Sequence, residues 1–179
     1  MFDQRPIRVL IAVHGYEPAQ WAGEVCRVAR TWDAPLIRLL GVLDVPSAPL
    51  TSLGRYAARA YHGARAAWTA QEEARLQAVI RPMLIGLPAG VDVETVPAAR
   101  GDIAATVCER AAAWGADVVV VGAPADGFAR WLRPGPVHQR ILRSIRCAVL
   151  VTPPPPPPVR RVRHLIGGAF RRAGVRSAS

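Results

Sequence analysis

Apolar residues follow two rhythms along this chain: short unbroken runs, and stripes that repeat every three or four positions. Ile7–Val13, IRVLIAV, is apolar at every position but Arg8 and rich in β-branched residues, as a strand buried on both faces requires. It stops at His14-Gly15. Trp21, Val25, Val28 and Trp32 then fall on one helical face and predict a helix over 18–32. Pro35–Val45 reads as a second strand, and the Pro- and Ser-bearing stretch Pro46–Leu53 as a loop. An alanine-rich helix is expected from Tyr56 to Leu87, with Trp68, Leu76, Val79, Ile80, Met83 and Leu87 as its core stripe. Pro82, which lacks the backbone N–H, should kink or end it.

Val91–Val96 alternates apolar and polar residues, the pattern of an edge strand. Gly101-Asp102 opens the next helix, with the Asp102 side chain as cap. Ile103, Val107 and Ala111 mark its buried face, and Gly115 closes it in the left-handed conformation. Asp117–Val121 is a fourth strand, 136–143 a last helix, and Cys147–Thr152 a fifth strand that Pro153 stops. Strands alternating with helices call for right-handed crossovers and an α/β fold with a parallel sheet.

Composition adds a tail to this picture. Pro153–Pro158 is a run of six prolines, expected to form a polyproline II rod of roughly 19 Å. The stretch from Val159 to Ser179 holds six arginines and no acid, so more than half of the net charge of +10 belongs to it. It reads as a disordered basic end. The chain therefore divides into a folded domain, 1–152, and a Pro-rich spacer with a basic tail, 153–179. All 23 basic residues counted as Lys or Arg are arginine, which fits GC-rich coding. Cys26, Cys108 and Cys147 are widely separated, form no CxxC pair and read as buried thiols rather than metal ligands. The N-terminus lacks the form of a signal peptide, and no run reaches the roughly 18 apolar residues of a membrane span. A cytoplasmic protein is expected.

The candidate chemistry lies after the fourth strand. A glycine- and proline-bearing loop, GAPADGFARWLRPGP, leaves its carboxyl end, where open parallel sheets bind ligands. Three segments, IRVLIAVHG, RGDIAATVCERAAAWGADVVVVG and the run from Gly122 through LRSIRCAVLVT, resemble the universal stress protein family over residues 5 to 152. The resemblance implies a Rossmann-like, open, five-stranded parallel sheet of order 3-2-1-4-5, with helices on both faces. It also implies a homodimer through the last strand, at Ala148, Val149, Leu150 and Val151.

In the ATP-binding branch of that family, an Asp after the first strand holds the ribose. The pattern Gly, two residues, Gly, nine residues, Gly, Ser or Thr wraps the triphosphate with backbone N–H groups. Mapped here, the motif falls on Gly122, Ala123, Ala125, Gly135, Pro136 and Val137, with Val13 and His14 at the end of the first strand. Ala125 replaces the middle glycine. Pro136 replaces the hydroxyl residue and removes a backbone donor. His14 stands where the Asp is expected, and Asp126 adds a negative charge beside the anion. Against these losses, Arg130, Arg133 and Arg140 can pair with a phosphate.

Each feature also has a purely structural reading. His14 can cap a strand end; Gly122 and Gly135 can serve backbone geometry. Pro136 suits a helix's first turn, Trp131 can be packing, and the arginines can be solvated surface. The expectation is a regulatory, non-enzymatic dimer with a degenerate nucleotide site. The alternative is an ATP-binding member using Gly122, Gly135, His14 and the arginines, with at most slow hydrolysis. No cofactor follows from the residues themselves; ATP enters only through the resemblance. The tail is read as a solubilising end, with anionic membrane, nucleic acid or a proline-recognition domain as further partners.

Overall fold

A computed structural model describes residues 5–18, 20–45, 55–98, 102–122 and 137–152, with the side chains of residues 55–60 and 138 outside the description. The strands are β1 (Arg8–Val13), β2 (Leu36–Leu43), β3 (Asp92–Pro97), β4 (Val118–Gly122) and β5 (Ala148–Thr152). The helices among these residues are α1 (Trp21–Ala29), α2 (Arg55–Gly86), α3 (Ile103–Trp114) and α4 (Val137–Ser144). All strand pairs are parallel and the order is β3-β2-β1-β4-β5, as expected.

The alternation of side chains along β1 divides the interior into two layers. Val9, Ile11 and Val13 point to one face and pack with Trp21, Val25 and Ala29 of α1 and Leu76, Ile80 and Met83 of α2. Leu10 and Ala12 point to the other and pack with Val107 and Ala111 of α3 and Ile141 of α4. From Val9 to Val13 β1 is buried on both faces, which is why that stretch is continuously apolar.

The expected caps of α3 are present. The Asp102 carboxylate accepts from the Ala105 N–H at 3.0 Å, and Gly115 ends the helix at φ 70°. Burial of α3 centres on Ala104, Thr106, Val107 and Ala111, with Ile103 half-buried at its start. Three expectations need correcting. Of the two outcomes expected at Pro82, an end to the helix does not occur, since α2 runs on to Gly86; Pro82 sits on the exposed side, where its ring meets solvent and the helix loses only one donor. Trp68 is not in the core stripe but exposed, its indole N–H donating to the Asp44 carbonyl at 2.8 Å. Of the three thiols only Cys26 is buried; Cys108 and Cys147 are half-buried against the second layer. Burial raises all three thiols above the ordinary cysteine value.

Candidate functional site

Chain connections run to opposite sides of β1: through α1 and α2 toward β2 and β3, and through α3 and α4 toward β4 and β5. The switch point is therefore the gap between the C-terminal ends of β1 and β4, where such sheets take their ligands.

On the β1 side the chain turns sharply at Gly15, φ +84°, and Glu17 folds back onto the strand end. One Glu17 carboxylate oxygen, Oε1, accepts from the His14 N–H at 2.8 Å, and Oε2 accepts from the Gly15 N–H at 2.9 Å. His14 Nδ1 lies 3.0 Å from Glu17 Oε1 and 3.3 Å from the Tyr16 backbone N–H. Burial alone would lower the His14 imidazole, but the hydrogen bond and negative charge of Glu17 outweigh it and raise His14 above its ordinary value. Burial would likewise raise Glu17, yet His14 and the His14 backbone N–H hold it below the usual carboxylate value.

A second tier comes from α2. Glu72 is 1 % exposed, and its Oε1 accepts from the Tyr16 hydroxyl at 3.1 Å and from Arg75 at 2.5 Å. Arg75 also donates to the Tyr16 hydroxyl at 2.6 Å, with its guanidinium over the Tyr16 ring. Glu72 Oε2 has no hydrogen-bond partner among the described residues. Burial, and then Glu72, raise the Tyr16 phenol.

On the β4 side the crevice floor is closed by α1. The Trp21 indole is fully buried and its N–H donates to Thr152 Oγ1 at 2.5 Å. The Thr152 hydroxyl in turn donates to the Val121 carbonyl at 3.2 Å. A Cβ at Gly122 would lie 2.9 Å from Trp21 Nε1 and 3.4 Å from Glu17 Cγ. The room that glycine leaves at the end of β4 is thus filled by this chain's own indole.

Among the residues singled out in the sequence, His14 and Gly122 flank the switch point. Val13 is buried in the first layer, so only its backbone borders the crevice. Val137 packs its side chain into the second layer as the first residue of α4. The Arg140 guanidinium pairs with the Asp102 carboxylate at the start of α3. Ala123, Ala125, Asp126, Arg130, Trp131, Arg133, Gly135 and Pro136 lie outside the described residues, as do the 46–53 loop, Gly101, the proline run and the basic tail.

Glu17, Trp21, Glu72, Arg75 and Thr152 were not legible as site residues. One signal was present: Glu72 occupies a place in the helical stripe that continues through Leu76, Ile80 and Met83, so a carboxylate there faces inward. No group of three or more metal-ligating side chains occurs among the described residues. No helix among them is long and apolar enough to cross a membrane.

An open parallel sheet of order 3-2-1-4-5 with a crevice at its switch point defines a Rossmann-like α/β protein. The universal stress protein family model matches residues 8–153, and the chain belongs to that family. Solved structures agree on the fold. Universal stress protein UspA from Lactobacillus plantarum is 17% identical, with 83% of this chain and 99% of that one covered and a TM-score of 0.57. A member of the family from Burkholderia pseudomallei is 20% identical, with 82% and 95% covered and a TM-score of 0.51. A universal stress protein solved in complex with cAMP is 16% identical, with 83% and 98% covered and a TM-score of 0.53. A search of curated protein sequences finds no match to the chain.

Proposed function

We infer that this chain is a non-catalytic, regulatory universal stress protein of the cytoplasm, dimeric through β5, whose crevice does not hold a nucleoside triphosphate. The observation that carries the reading is the Glu17 carboxylate seated on the His14 and Gly15 amides. The resemblance puts the nucleotide's ribose at this strand end, and the backbone donors there are already taken by an internal anion. The Trp21 indole over Gly122 removes space on the other side. Pro136 removes a backbone donor from the loop, and Ala125 brings a Cβ to the position where the middle glycine of the motif lets a phosphate approach the backbone. A nucleoside triphosphate bound in that way would set its ribose against the paired Glu17 carboxylate or displace it, and would meet a loop short of a donor, at a cost of roughly several kcal/mol, or several powers of ten in affinity.

A second reading is a smaller nucleotide held through His14, Gly122, Gly135, Arg130 and Arg133. The relative solved with cAMP supports it, because that ligand carries a single phosphate. Acid extraction of the purified protein followed by mass spectrometry separates the two. The first reading predicts no stoichiometric nucleotide; stoichiometric ATP overturns it, and stoichiometric nucleoside monophosphate establishes the second.

A further inference from the structure

Helices α1 and α2 each return the chain from the C-terminal end of one parallel strand to the start of the next. They therefore run parallel, with their C-terminal ends side by side. At that end they touch closely. A Cβ at Gly86 would lie 2.8 Å from Cys26 Sγ, and Arg30 Nη2 donates to the Gly86 carbonyl at 2.8 Å. One turn back along both helices the space between them is no longer filled. Gly23 of α1 and Pro82 of α2 stand on its two sides, and a Cβ at Gly23 would meet no atom within 4 Å. The result is an open groove of about 510 Å³, with the buried Ala22 and Cys26 at its floor. That volume is of the order of small-molecule sites, roughly 300–1,000 Å³. From Ala22 to Arg30 the groove follows about 12 Å of helix.

Glycine and proline are the residues least suited to a helix interior. Neither is needed here to pack the described residues against one another: Gly23 is uncrowded and Pro82 is exposed. Together they keep the groove wide. Its charge comes from Arg27 and Arg30. Arg27 uses Nε and Nη2 on the Glu24 carboxylate, and Arg30 uses Nη2 on the Gly86 carbonyl. Arg27 Nη1 and Arg30 Nε and Nη1 have no partner among the described residues. Two guanidinium groups against one carboxylate leave a single positive charge at the rim of an apolar floor.

We propose that the groove between α1 and α2 binds a small monocarboxylate with an apolar body, its chain along Ala22, Gly23 and Pro82 and its carboxylate on Arg27 and Arg30. One net positive charge complements one carboxylate, and a guanidinium is the side chain that best matches its geometry. A partner helix, about 10 Å across, would need more than the groove's volume over the same length. The groove shares no residue with the crevice at the switch point, so the proposal is independent of what that crevice holds.

The test is an amide NMR titration of the full chain with octanoate and, in parallel, with octan-1-ol, which keeps the chain and lacks the charge. The expected result is saturable shifts of the Gly23, Cys26 and Gly86 amides with a Kd below about 1 mM for octanoate, and binding at least about tenfold weaker for the alcohol. Gly23→Leu fills the groove from a position that has room for it and should weaken octanoate by about tenfold or more. Gly23→Ala, which adds one methyl group and favours the helix, should weaken it less; circular dichroism checks that both variants fold. Arg27→Gln/Arg30→Gln should bring octanoate down to the level of the alcohol. Four results would overturn the proposal. Octanoate gives no saturable shift up to about 1 mM; octan-1-ol binds as tightly; or the folded Gly23 variants or the arginine variant bind octanoate as the unaltered chain does. The fourth is that the same resonances move with protein concentration alone and light scattering shows a mass that Gly23→Leu lowers, which assigns the groove to a second copy.

Discussion

The His14 ring has two neighbours competing for one nitrogen. With Nδ1 bare it accepts from the Tyr16 N–H; with Nδ1 protonated it donates to Glu17 Oε1 instead, and the Tyr16 amide is released. The direction of each shift fixes the pH window. His14 is raised above 6.5, so its contribution to stability is full below 6.5 and fades as pH rises through the raised value. Glu17 is lowered below 4.5, so its contribution is full above 4.5 and fades as pH falls through the lowered value. The pair is strongest between those limits. Glu17→Gln removes the largest raising influence and leaves burial opposed only by the charges of Asp44 and Glu72, so the His14 titration followed by NMR should move down; an unchanged titration would contradict the pairing.

The Trp21–Thr152 contact is a second single-residue test. Thr152→Val keeps the shape but strands a buried indole N–H, at about 1–3 kcal/mol in urea unfolding, whereas Thr152→Ser should retain most of the stability. A larger loss for Thr152→Ser than for Thr152→Val would show that the methyl group, not the hydroxyl, matters.

α2 illustrates where helical periodicity informs and where it misleads. Its second half was legible because Leu76, Ile80 and Met83 recur on one face and all are buried. Trp68 was misplaced because an aromatic residue in an alanine-rich helix looks like core, and periodicity carries no information on where the sheet beneath the helix stops. Pro82 misled for a related reason: its cost depends on which side of the helix it occupies. On the solvent side the Ala78 carbonyl that loses its N–H partner can turn to water. Pro82→Ala restores that hydrogen bond and should stabilise the protein by about 1–3 kcal/mol in thermal or urea unfolding. No gain would mean that the helix already bends there without penalty. The caps of α3 were legible because capping is local: Asp102 and Gly115 act within four residues of themselves.

At the scale of the molecule, sheet order followed from alternating strands and helices together with the family resemblance; four strands were legible from runs dominated by apolar residues and β3 from its alternation of apolar and polar positions. The crevice was not. It is assembled from Glu17, Trp21, Glu72 and Thr152, whose contacts span up to 131 positions along the chain. Only folding brings them together. The two sheet edges also differ. On β3, Asp92 and Glu94 pair with Arg38 of β2, and Glu94 also pairs with Arg110 of α3, so this edge carries charges that discourage strand addition. β5, AVLVT, carries none. That contrast supports pairing of β5 with its copy, and light scattering coupled to size exclusion should give twice the 19.3 kDa chain mass at micromolar concentration. A monomer would remove the dimer from the account.

The claim on which the functional account rests is that Glu17, not a ligand, occupies the amides at the end of β1. The direct measurement is an amide NMR titration of the purified protein with ATP, following the His14 and Gly15 resonances. The account predicts that neither resonance shifts up to about 1 mM ATP, the concentration that corresponds to a binding free energy of only about −4 kcal/mol. Saturable shifts of both at micromolar ATP would contradict it.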